Sequence, residues 1–185
     1  MKQLTALSLS IAVLAFLATW LFLSVGTILI WAAFLAWACF YANGGDVAAL
    51  RKTVVCNIFG CVMGWVAAVA ILAIPLTASI GLPLWAAIVV GVTVFVVCFA
   101  ANVGELSSIP ASFYGYAGTF AFLLQTPGKL TLANLTSFGL GNAPIVVGLS
   151  LVIGAAFGYA SAQAAAALTA KVAEPGAADR TRATP

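Results

Sequence analysis

No histidine occurs in this sequence, and charge is scarce: only 6% of its 185 residues are Asp, Glu, Lys or Arg. The missing histidine removes Ser-His-Asp triads, haem ligation by histidine and the usual zinc sites. An ordinary soluble domain carries roughly 25% charged residues, so this chain cannot cover a water-facing surface. A soluble globular fold, a disordered chain and a nucleic-acid binder are excluded on that ground. Acidic residues are the scarcest, four against seven basic ones, and only Asp46 and Glu105 lie outside the C-terminal tail. Cys39, Cys56, Cys61 and Cys98 form no Cys-x-x-Cys pair and read as small buried hydrophobes. The sequence also holds no phosphate loop, metal cluster or cofactor motif, so neither an enzyme nor a metal or cofactor is expected.

What is abundant is apolar surface: 64% of the residues are hydrophobic and the mean hydropathy is +1.19. The solvent must be lipid. A spanning helix needs about 20 mostly apolar residues, and the run Leu4 to Ala42 holds 39, enough for two. Its one break is Ser24-Val25-Gly26, which predicts spans near 6–24 and 27–42. The lysine-led start resembles a signal peptide, but no small-residue cleavage site follows, so the first span is read as retained. Asn43-Gly44-Gly45-Asp46 is a turn, and Asp46 can cap a third helix over 47–74. Pro75 and Pro83 bracket a connection to a fourth helix at 84–102. Ser107-Ser108-Ile109-Pro110 predicts a cap with proline in the first turn of a fifth, reaching Leu124. A sixth runs from Pro144 to Leu168, and 130–143 is either a surface loop or a short re-entrant segment. The reading is an all-α polytopic bundle of about six spans, one transmembrane domain over 1–171, with a disordered cytoplasmic tail over 172–185.

Six spans put Lys2, Arg51, Lys52, Lys171, Arg180 and Arg182 on one side and Lys129 alone on the other. Positive charge stays inside, so both termini are expected in the cytoplasm. Without eukaryotic targeting signals, a bacterial inner membrane is the simplest location.

The most informative pattern is an internal duplication. Cys39-Phe40-Tyr41-Ala42-Asn43-Gly44-Gly45-Asp46 aligns with Cys98-Phe99-Ala100-Ala101-Asn102-Val103-Gly104-Glu105, with five identities and a carboxylate kept at the end. Asn57-Ile58-Phe59-Gly60 then matches Ser112-Phe113-Tyr114-Gly115 after a second loop shorter by four residues. The shift is two helices, so the copies are parallel, unlike the inverted repeats of many transporters.

Asp46 and Glu105 occupy equivalent places in the two copies. Each can cap a helix N-terminus, where a carboxylate meets free N–H groups. Alternatively the two, with Asn43 and Asn102 beside them, line one cytoplasmic mouth. Asn57 lies two to three turns inside its helix, where a polar side chain must bond to another helix or line a wet cavity. Ser112, Tyr114, Tyr116 and Thr119 give the fifth helix a similar seam, which is either packing glue or a pathway lining. Gly60/Gly64 and Gly154/Gly158 are Gly-x-x-x-Gly pairs, suited to close helix approach within a bundle or between subunits. Trp85 fits an outer interfacial belt.

Trp31-Ala32-Ala33-Phe34 and Trp37-Ala38, ahead of the Ala42-Asn43-Gly44-Gly45 turn, resemble a family of small bacterial inner-membrane proteins. So does Ile109-Pro110-Ala111-Ser112-Phe113-Tyr114-Gly115 leading into Thr119-Phe120-Ala121. It is the domain of unknown function 1097 family, and the resemblance covers about residues 8–168. It implies the inner membrane and brings no activity, substrate or site residue with it.

The leading expectation is a channel or transporter, a single bundle or a homo-oligomer, for a small neutral or weakly polar solute. Intramembrane charge is too scarce to neutralise an ion. Candidate lining residues are Asn43, Asp46, Asn57, Asn102, Glu105, Ser112 and Tyr114, with aromatic walls from Phe40, Phe59, Phe99 and Phe113. The competing expectation is a non-transporting subunit that stabilises a membrane partner.

Overall fold

The computed structural model describes residues 2–173, and these are helical with no strand among them. Helix α1 (Gln3–Val25) stops where the sequence breaks: Gly26 takes φ +71° and its N–H returns to the Phe22 carbonyl. Helix α2 (Ile30–Ala42) starts three residues later than expected. Leu29 stays extended, and its free N–H donates to Ser150 Oγ at 2.9 Å, which supplies the partner that lipid cannot. The turn after α2 needs its glycines, since Gly44 and Gly45 both have positive φ, 124° and 74°.

Helix α3 (Val47–Ala73) begins at Asp46, whose carboxylate accepts the Ala49 N–H at 2.7 Å, and it ends ahead of Pro75. A single turn, α4 (Thr77–Ile80), leads into α5 (Leu82–Phe99). Two 3-10 turns, Ala100–Asn102 and Gly104–Leu106, then precede α6 (Ile109–Gln125), which carries Pro110 in its first turn. The stretch after α6, expected to be a surface loop or a short re-entrant segment, packs against the bundle. It holds one helical turn, α7 (Leu132–Leu135), whose Leu135 is fully buried against α3, α6 and the start of α8 (Ala143–Ala173). Trp65 Nε1 and Asn142 Nδ2 both donate to the Leu135 carbonyl, at 2.8 and 3.1 Å, so this turn plugs one end of the bundle. Helix α8 runs two residues into the tail over 172–185 that was expected to be disordered, and the rest of that tail, from 174, lies outside the described residues.

Four helices, α1, α3, α5 and α8, are long and apolar enough to cross a membrane. Helix α2 has 13 residues and α6 has 17, about 20 and 25 Å of rise at 1.5 Å per residue. The interior is formed by α2, α3, α6 and α8, with α1 laid antiparallel on α8 and α5 on α3. Both Gly-x-x-x-Gly pairs are consumed inside this bundle rather than offered to a second chain. A Cβ on Gly60 would run into the Ser112 carbonyl, and one on Gly154 into the Ala33 carbonyl. Gly64 and Gly158 are closed by Thr119 and Phe40, at 3.0 and 2.9 Å from such a Cβ.

Candidate functional site

Helices α3 and α6 run in the same direction, and their contact is reciprocal. Gly60 lies on the backbone of Ser112 and Tyr116, while Gly115 lies on the backbone of Asn57 and Cys61. The facing stripes are Thr53, Asn57, Gly60 and Gly64 on α3, and Ser108, Ser112, Gly115 and Thr119 on α6 or at its cap. Every pair in that order is separated by 55 positions. Each stripe keeps the spacing that returns to one helix face. Packing this close to backbone works only with glycine at the crossing; it leaves polar residues on either side of the crossing, in the bundle interior.

At the end of the seam nearest the Asn43 turn, hydrogen bonds close it. Asn43 Nδ2 donates to Thr53 Oγ1 at 2.8 Å, and its Oδ1 accepts from Ser108 Oγ at 2.9 Å. One amide therefore ties the end of α2 to α3 and to the N-cap of α6. Beyond the crossing, Thr119 Oγ1 bonds back to the Gly115 carbonyl and across to that of Cys61, at 3.1 and 3.3 Å. Between latch and crossing sit Asn57 and Ser112, 1% and 0% exposed, whose side-chain nitrogen and oxygen atoms have no hydrogen-bond partner.

The other expected lining residues do not join this seam. Asn102 is exposed and donates to its own Phe99 carbonyl at 2.8 Å, so it is no counterpart to Asn43. Glu105 does not cap α6. It stands four positions ahead of Ile109, at a helix start with no side-chain cap, and pairs with Arg51 at 2.9 Å. Both partners are more than half exposed, so the pair contributes at most about 1 kcal/mol. Asp46 is the cap it was expected to be, and is exposed. Tyr114 packs half-buried on Cys39, Cys56 and Ala111. Phe59 faces the α5 side with Trp85 and Val97, while Phe113 is on the exposed surface and Phe99 is 66% exposed. Phe40 is fully buried against Tyr41 and Tyr159. Trp85 is buried rather than placed in an exposed belt.

A second polar cluster was not foreseen. Ser161 Oγ donates to the Gly158 carbonyl at 2.7 Å, which leaves its lone pairs for Trp37 Nε1 at 3.1 Å and Tyr41 OH at 2.6 Å. Ser10 Oγ reaches the Ser161 carbonyl at 2.9 Å, joining α1 to the same point. A serine flanked by alanines gives no sequence signal of this role. Ser161→Ala leaves the buried Trp37 N–H without an acceptor, and is expected to cost about 1–3 kcal/mol. Thermal unfolding in detergent micelles measures it. Near this cluster an open pocket of about 490 Å³ lies among Gln3, Leu7, Tyr41, Gly45 and Thr169. Two wholly or mainly apolar grooves, about 550 Å³ between α1 and α8 and about 300 Å³ among α3, α5 and α6, face outward. Neither Asn57 nor Ser112 lines any of the three.

No curated protein and no solved structure matches this chain. A family model does match, over residues 8–166, nearly the whole helical bundle. The chain belongs to the protein family of unknown function DUF1097.

Proposed function

We propose that this protein crosses a bacterial inner membrane six times, with both termini in the cytoplasm, and passes a small neutral or weakly polar solute along the α3–α6 seam. The observation that carries the reading is the pair Asn57 and Ser112, buried in the interior with no partner for either side chain. Polar groups in a lipid-embedded core are hydrogen-bonded unless something else occupies or hydrates the place. The described arrangement is the shut form, closed by the Asn43 latch at one end, by the Gly60 and Gly115 backbone contact along the seam and by the Leu135 plug at the other end. Short α2 still supports a span, because the extended residues before it lengthen the segment and Ser150 satisfies the Leu29 N–H. The constant 55-residue offset of the facing stripes supports a parallel duplication of α2–α3 and α5–α6. Reporter fusions at Pro127-Gly128 and after Lys171 are expected on opposite sides of the membrane; same-side signals reject six spans.

A second reading is favoured by the crossing itself. Backbone-to-backbone contact at Gly60 and Gly115 leaves no room between the helices there, as suits a rigid subunit that stabilises a partner protein. Purified protein in liposomes separates the two. Transport predicts faster entry of at least one of urea, short amides or glycerol, with potassium excluded. No change for any of them, together with stable co-purification of one membrane partner, selects the structural role.

A further inference from the structure

Asn57 and Ser112 occupy equivalent levels on two parallel helices, each one turn before the glycine of its own stripe. Helical Cα–Cβ bonds tilt toward the N-terminus, so both side chains lean away from the crossing and toward the Asn43 latch. The level they lean toward lies between the Gly60 and Gly115 backbone contact on one side and the Asn43–Thr53–Ser108 bonds on the other. One turn, about 6 Å of rise, separates the Thr53 level from the Asn57 level, which limits an occupant to a few heavy atoms. The lining chemistry is mixed and uncharged. A carboxamide offers two donors and an acceptor, and a hydroxyl offers one donor and acceptor lone pairs. Helix α6 carries no charged residue, and α3 carries none after Lys52. The nearest carboxylate and guanidinium, Glu105 and Arg51, face solvent and bond to each other.

Deepening the transport reading above, we infer that Asn57 and Ser112 form a binding site for one small neutral molecule that both donates and accepts hydrogen bonds, either water or a short carboxamide. An ion has no counter-charge there, and an apolar solute leaves the amide and hydroxyl as orphaned as before. Asn43 is the residue that must let go for the site to fill, since its two bonds bridge the helices on that side of it.

The test places a thiol in the site. Asn57→Cys, and separately Ser112→Cys as the smaller change, are purified in detergent and treated with neutral methyl methanethiosulfonate or its negatively charged sulfonatoethyl counterpart. Mass spectrometry of the peptide carrying position 57 or 112 separates the new thiol from the native cysteines. The site predicts reaction with the neutral reagent, faster by about tenfold or more than with the charged one. Slowing by acetamide identifies a carboxamide as occupant, and an unslowed reaction identifies water. If both folded variants resist the neutral reagent, or if the charged reagent reacts as fast, the site is rejected. Labelling without solute flux in liposomes keeps the site and removes the transport reading, whereas flux without labelling does the reverse.

Discussion

Gly60→Ala and Gly115→Ala are each expected to destabilise the protein by about 3 kcal/mol or more. Overpacking a core typically costs about 1–3 kcal/mol when side chains can yield. Here the added methyl meets a backbone carbonyl, of Ser112 or of Asn57, and neither can turn aside without parting the helices. Gly154→Ala, against the Ala33 carbonyl, belongs to the same class at the α2–α8 contact. Gly91, in α5, has nothing within 4 Å of an added Cβ, so Gly91→Ala is expected to be neutral or to gain up to about 1 kcal/mol of helix propensity. The double variant at positions 60 and 115 is expected to cost less than the two singles together, because either methyl already separates the same pair of helices. Unfolding temperatures of the five variants in one detergent decide the order.

Asn43→Ala is the second large effect. It removes the donor to Thr53 and the acceptor for Ser108, both of them buried hydroxyls. Leaving such groups without a partner costs about 1–3 kcal/mol. Asn102→Ala, at the equivalent place in the aligned turn, loses only one exposed bond to Phe99 and is expected to change stability by less than about 0.5 kcal/mol. Stability measurements on the pair show whether the two turns act alike. Equal losses contradict the latch.

The contrast between those asparagines shows where sequence reading reached its limit. Residue identity placed Asn43 with Asn102 and Asp46 with Glu105, and the turn glycines and prolines marked the helix ends at Val25, Ala42 and Ala73. The second connection, however, is longer than the first, residues 100–108 against 43–46, because two 3-10 turns fill it where α3 is already helical, and α6 starts from Ser108. Glu105 is thereby carried off the helix axis to Arg51, and Ser108 turns its hydroxyl to Asn43 instead of to its own helix. Small offsets in a connection decide such partners, and composition does not record them. The polar seam was legible in part: Asn57, Ser112 and Thr119 lie on it, whereas Tyr114 packs on Cys39 and Cys56 and Tyr116 bonds to Thr93. The plug at Leu135 and the Ser161 junction were not, since a leucine in a mixed loop and a serine among alanines are ordinary residues until the fold surrounds them.

The most direct test of solute passage along the α3–α6 seam is stopped-flow entry of acetamide and urea into liposomes carrying wild-type protein or Asn57→Val. Valine is closer to asparagine in volume than leucine is and has no hydrogen-bonding group. The variant should therefore reconstitute, at a cost of no more than about 1–3 kcal/mol, while position 57 loses its amide and Ser112 is left as the unpartnered polar group at that level. The account predicts faster solute entry with the wild type and the rate of empty liposomes with the variant. Equal acceleration by both proteins, or none by the wild type, contradicts it.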